Sequence, residues 1–427
     1  MRFHASFQPD VLTALSRLFL PALERFGKTA KILLTPTHWH VILDTDDTTG
    51  PWAVLSLAAN AVFSTYTLEA RHKSSIGLSV DLAMLTRTLK MIGANPMGAP
   101  NSITVRLAKR PRPGAENATM DGMPSINLPT QQLHPCLVLT ADADFGGTMT
   151  QELPVSQPMG AELVDSLLRV AGAEGSAPVA LPRGVPSGPP HLQCPFYVRL
   201  APYAAAARLH GTCDRMKNLN NAATVAVCDD GSVHVQVRGH SCHVGVALDG
   251  FGVVNVETRP PDAGVAPSTS AASTATGAAG ALGVLCSPAA PAQALVNAVN
   301  ARSAALVAAS GGATSSTSGA ATCGPHALVA RIKLKDLMHS LSFATQTQAA
   351  ELWLGVDGVC VDDPHAGIVA PDGVTYASYL HAVFKYYSDQ EEMGVDGAAL
   401  DDPTMWDNSV GVYTKLPRYA DGGDECG

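Results

Sequence analysis

No apolar run in this 427-residue chain is long enough to span a bilayer. Met1-Arg2-Phe3-His4 leads into no signal-peptide core, so an intracellular, non-membrane protein is expected. The nine cysteines lack metal-ligand or disulfide spacing. Cys136, Cys228 and Cys360 sit in apolar, strand-like runs and read as small hydrophobes and reduced thiols. There is no Gly-x-Ser-x-Gly elbow and no phosphate-cradling Walker loop. Asp229-Asp230 and Asp362-Asp363 fall at hairpins, where adjacent carboxylates diverge and suit turns better than paired acid–base work. His234, His240, Cys242 and His243 crowd together, but strand and turn positions aim their side chains apart, so they read as polar strand and turn residues and no metal is expected. His38-Trp39-His40 alternates across a strand, with the histidines read as its solvent face. No catalytic residue and no cofactor is expected; a metal-binding protein or a hydrolase is the less favoured alternative.

The chain also lacks a positive charge balance. Its net charge is −9, but ten acidic and two basic residues lie between Asp389 and the C-terminus, leaving −1 for residues 1–388. The acidity (Asp396, Asp401, Asp402, Asp407, Asp424, Glu425) marks 389–427 as a solvated, disordered tail. Two further tracts are poor in large apolar side chains. Pro178–Pro195 is Pro/Gly-rich, and Asp262–Pro325 is mostly Ala, Ser, Thr and Gly. Neither buries enough surface to offset its ordering entropy.

What is present is one pattern, four times: a strand, a basic amphipathic helix and two short strands. The first copy is Arg2–Phe7, Asp10–Phe26, Ala30–Leu34 and Trp39–Asp44. The second is Ser74–Leu78, Val80–Ile92, Ile103–Leu107 and Cys136–Thr140. The third is Phe196–Leu200, Tyr203–Asn218, Ala223–Val227 and Val233–Val237. The fourth is Leu328–Ile332, Lys333–Phe343, Glu351–Val356 and Val359–Val361. Leu334, Leu337, Met338 and Leu341 form one helical stripe, as do Leu82, Leu85, Leu89 and Ile92. Asp230-Gly231 and Asp357-Gly358 signal hairpins. Pro21 removes a donor inside the first helix and predicts a kink. Four units make two similar domains: 1–153 with a Pro-rich insertion at 111–134, and 194–388 with a low-complexity insertion at 258–325. Residues 154–193 form the connector.

Each helix carries cations off its apolar stripe. Those near helix C-termini (Arg25, Lys28, Lys90, Arg215, Lys217) also complement the helix dipole. Lys333 and Lys335 stand in a first turn, where the dipole disfavours them, and Arg17, Arg87 and Arg208 are mid-helix. Those five argue for a basic surface with a purpose.

Two repeats per domain, two domains and basic helices throughout resemble a subunit of the sliding clamps typified by proliferating cell nuclear antigen (PCNA). Local sequence narrows this. Met1-Arg2-Phe3, Phe26-Gly27-Lys28-Thr29, Ser79 to Lys90, His134-Pro135-Cys136-Leu137, Arg215-Met216-Lys217-Asn218 and Ile332-Lys333-Leu334-Lys335-Asp336-Leu337 resemble the hydroxyurea-sensitivity (HUS) subunit of the nine-one-one checkpoint clamp. The resemblance implies an α+β, two-domain PCNA-like fold with the helices on the inner face of a ring. It implies a non-enzymatic nuclear protein in a heterotrimer with two related clamp subunits, placed on DNA by a clamp loader, that serves DNA damage checkpoint signalling and DNA repair proteins. Double-stranded DNA would be held without sequence specificity, by phosphate contacts from Arg17, Arg87, Lys90, Arg208, Lys217, Lys333 and Lys335. Edge strands around Thr148, Gln151 and Leu153, and around Cys242, Val244 and Val246, would join neighbouring subunits. The alternative within the same fold is a homotrimeric replicative clamp. Lys109-Arg110-Pro111-Arg112-Pro113 is a basic cluster that reads either as an aid to nuclear import or as a solvated loop.

Overall fold

The computed structural model describes residues 1–43, 51–93, 100–111, 133–143, 148–171, 194, 196–200, 203–255, 327–349, 351–357, 379–386 and 410–419. They fall into two compact units, one built on Met1–Thr45 and Trp52–Ser176 and the other on Ala177–Trp406 and Tyr413–Gly427. The Pro-rich and Ala/Ser/Thr/Gly insertions read from the sequence lie outside the described residues.

In the first unit β1 (Arg2–Phe7) precedes a broken helix, then β2 (Thr29–Leu34), β3 (His38–Leu43), β4 (Trp52–Ala58), the short α3 (Ala59–Val62) and β5 (Phe63–Glu69). The second half repeats the plan: β6 (Ile76–Asp81), α4 (Leu82–Gly93), β7 (Pro100–Pro111), β8 (Leu133–Ala143) and β9 (Thr148–Pro154). The two halves exchange their first strands. β1 pairs with β7, giving the order β5-β1-β7-β8-β9, and β6 pairs with β2, giving β4-β3-β2-β6. Both pairings are antiparallel. Neither half completes a sheet without a strand of the other, so the two fold as one body.

The second unit is built the same way. β10 (Phe196–Leu200), α6 (Tyr203–Met216), β11 (Ala222–Cys228), β12 (Val233–Arg238), β13 (His243–Leu248) and β14 (Gly252–Asn255) are followed by β15 (Ala327–Lys333), α7 (Leu334–Gln346), β16 (Glu351–Val356), β17 (Tyr379–Lys385) and β18 (Val410–Pro417). Here β10 pairs with β16 and β15 with β11, the same exchange of first strands. The sheets run β13-β12-β11-β15 and β14-β10-β16-β17, the latter continued by β18. This twice-built exchange gives an α+β architecture of two similar units with two repeats each, as the repeats predict.

Several sequence expectations need correction. Val80 and Asp81 belong to β6, paired with Ala30 and Thr29, and α4 starts at Leu82 because the Asp81 carboxylate accepts the Met84 N–H at 2.8 Å. Pro21 produces more than a kink. The first helix runs as α1 (Pro9–Ala14), a π-helical stretch Leu15–Phe19 and α2 (Leu20–Leu23), with Leu20 N–H bonded to the Leu15 carbonyl. Proline has no N–H to offer the Arg17 carbonyl four residues back, so the preceding turn widens. Val359–Val361, expected as the hairpin partner of β16, lies outside the described residues; β16 pairs with β10 and β17. The acidic C-terminal stretch is not disordered throughout, since β18 lies within it and buries Val412, Tyr413 and Leu416. Nor is the connector all linker. Ser156 and Met159 donate backbone bonds to the carbonyls of Ser79 and Gly77, and Ser156 Oγ accepts Ser79 N–H, which caps the free edge of β6. α5 (Ala161–Val170) follows, burying Val164, Leu167 and Leu168, and Asp165 binds His72 at 2.7 Å and Lys73 at 3.0 Å.

The Asp230-Gly231 turn has the expected chemistry. Asp230 accepts the Ser232 N–H at 2.9 Å. Gly231 has a φ of +79°, and a Cβ there would come within 2.0 Å of the Phe251 carbonyl oxygen.

His40 departs from its expected solvent position. It is buried on β3, its Nδ1 lies 2.8 Å from Ser56 Oγ, and its ring stacks on His38. Burial, reinforced by His38, pushes its pKa down to about 3. The folded state therefore resists a proton that the unfolded chain accepts near pH 6.5. Stability from this site is complete above that pH and is lost as pH falls from there towards 3. Moving from pH 7 to pH 5 should cost the first unit about 2 kcal/mol, at about 1.4 kcal/mol per pH unit below 6.5. Urea unfolding at both pH values measures this, and His40→Gln should flatten the dependence. An equal pH dependence in the variant would place its origin elsewhere.

Candidate nucleic-acid interface and subunit edges

In each unit the two long helices lie side by side. The first helical stretch packs on α4, and α6 packs on α7. α4 turns Leu82, Leu85, Thr86, Leu89 and Ile92 inward. α6 does so with Ala205, Ala206, Leu209, Cys213 and Met216, and α7 with Leu334, Leu337, Leu341, Phe343 and Ala344. A 3.6-residue period that buries one stripe leaves the opposite stripe in solvent. There stand Arg17, Arg87, Lys90, Arg208 and Lys335. Lys217 lies just past α6, and Lys333 is not in the first turn of α7 as expected but ends β15 as the helix N-cap. All seven are exposed. Arg17 sits inside the π-helical stretch. Among the described residues Arg17, Arg87 and Lys90 have no carboxylate partner. Lys217 does: its Nζ lies 2.7 Å from Asp214, whose carboxyl is held below its ordinary range mainly by that bond. Asp336 is buried in the first turn of α7. Burial raises its pKa, and the nearby charges of Lys333 and Lys335 oppose the rise. Lys90 is in a last turn and Lys217 just past one, where the helix dipole alone suffices to favour them.

The candidate joining strands are sheet edges among the described residues. β9 pairs only with β8, and β13 only with β12. Thr148 is exposed and Gln151 half-buried. Leu153 is not a surface contact. Its side chain is fully buried in the first core, because in β9 it points with Leu137 towards the helices, so only its backbone stands at the edge. Val244 is exposed and Val246 half-buried, but Cys242 precedes β13 and its backbone carbonyl accepts the Gly239 N–H, which closes the turn. Cys136, Cys194, Cys213 and Cys228 are buried free thiols. Among the described residues no three His, Cys, Asp or Glu side chains converge on a common point. His234 instead lies 3.1 Å from Ser232 Oγ.

Residues 1–184, which include both main segments of the first folded unit, are similar to the Hus1-like protein family. No curated protein matches the chain. A solved structure with a similar outline is the proliferating cellular nuclear antigen of Entamoeba histolytica, 10% identical, with a TM-score of 0.45 over 98% of this chain and 99% of that one.

The sequence pattern alone did not show β4, β5, β14, β17, β18, α3 and α5. α5 was legible: Val164, Leu167 and Leu168 fall at i, i+3 and i+4 behind Gly160, a plain helical stripe. β18 was hidden by its acidic surroundings, which dominate any composition window.

Proposed function

We propose that this chain is a non-enzymatic subunit of a nuclear, heterotrimeric DNA damage checkpoint clamp. Its helices face duplex DNA, β9 and β13 add to the edges of two related subunits, and a clamp loader closes the ring on DNA for checkpoint and repair proteins. The supporting observation is the twice-built strand exchange, which sets two helices side by side in each unit with arginine and lysine outward. Such a surface holds phosphates by charge, without reading bases, and its grip weakens as salt rises. A weakly basic lining retains the duplex while the ring slides.

The test is retention on closed circular DNA. Arg17→Glu, Arg87→Glu, Lys90→Glu and Arg208→Glu together should lower retention of the assembled ring at least tenfold at moderate salt, with the subunit contacts intact. Unchanged retention would refute the DNA-facing assignment. Purified alone, the chain should stay monomeric; a self-assembled trimer would favour a replicative clamp.

A further inference from the structure

The two units do not offer the same charge. On the first, Arg17, Arg87 and Lys90 are exposed and have no carboxylate partner among the described residues. On the second, Arg208 is likewise exposed without a carboxylate partner among the described residues, but Lys217 is engaged. Asp214 holds it at 2.7 Å and also feels His210 one turn earlier, while Asp336, the residue after Lys335, feels the charges of Lys333 and Lys335. An exposed pair such as Asp214–Lys217 contributes little to folding. Its electrostatic effect is larger. A phosphate approaching Lys217 meets a carboxylate well inside the Debye length of about 10 Å and must displace it from the ammonium group.

We propose that Asp214 is a built-in brake on the second unit, keeping Lys217 from the phosphates. This rests on the DNA-facing reading above.

The experiment measures binding of the full-length chain to a short fluorescent duplex of arbitrary sequence over a salt series. Asp214→Asn should tighten binding about threefold at low salt and steepen the log–log salt dependence by about 0.9, the increment for one added phosphate contact. Lys217→Gln alone should change little, because Lys217 is already engaged. Combined with Asp214→Asn it should abolish the gain, which separates a released lysine from general loss of negative charge. If Asp214→Asn binds like wild type while the Arg17, Arg87 and Lys90 reversals abolish binding, the brake is refuted and the DNA-facing reading stands. If the reversals also leave binding unchanged, that reading falls too.

Discussion

Replacing Arg199 with methionine should destabilise the second unit by about 3 kcal/mol. The reason is Glu351, the first residue of β16, whose side chain is only 4% exposed. Its two oxygens are satisfied by different donors: Arg199 Nε on β10 at 2.9 Å and the Trp353 indole N–H at 2.8 Å. Removing the guanidinium leaves a buried carboxylate with one neutral donor, and the loss of a partner costs more than the intact pair contributes. The cost sits near the low end of such losses because Arg199 is itself partly exposed, so water can reach part of the vacated site. Removing both charges with Arg199→Met and Glu351→Leu should cost less than Arg199→Met alone, although the Trp353 N–H then loses its acceptor. Denaturant unfolding followed by far-UV circular dichroism reads the difference. A double variant no more stable than the single one would show that the isolated charge is not the source of the penalty.

Gly355→Ala should cost a further 2 to 3 kcal/mol, roughly the upper end for an overpacked core. Gly355 lies on β16 directly opposite Tyr197 on β10. A Cβ there would come within 2.7 Å of two Tyr197 ring carbons and 2.9 Å of Cys194 Sγ. Both neighbours are fully buried, so neither can swing into solvent. The ring fills the space that the glycine leaves, an aromatic–glycine pair across two strands. Gly355→Val should do more damage than Ala, and Tyr197→Leu should partly rescue Gly355→Ala by withdrawing the ring. Thermal melting of the three variants tests this. Wild-type stability for Gly355→Ala would mean that the strands separate at no cost. Because β10 is the strand exchanged between the two halves of this unit, the lesion should weaken both halves together.

The four repeats were legible because a helical stripe or an alternating strand is a local property, written in residues a few positions apart. Leu82, Leu85, Leu89 and Ile92 bury as their spacing predicts. The exposure of Arg17, Arg87, Arg208 and Lys335 follows from the same period. The turn at Gly231 was equally local. Partnership across long separations was not. His40 alternates with its neighbours like a surface residue, yet it is buried beside Ser56. Glu351 reads as an ordinary polar strand opening until Arg199, more than a hundred residues earlier, is brought beside it. The pairing of β16 with β10 and with β17 likewise joins segments that local patterning does not connect.

The sequence by itself determined the four repeated helices, many of the strands around them, and which helix faces remain wet. Tertiary structure alone decided that each repeat lends its first strand to the other, that a strand emerges from the acidic stretch, and that Arg199 reaches the buried Glu351. Periodicity is set by bonds between near neighbours; charge pairing and sheet order depend on which distant segments meet in the folded chain.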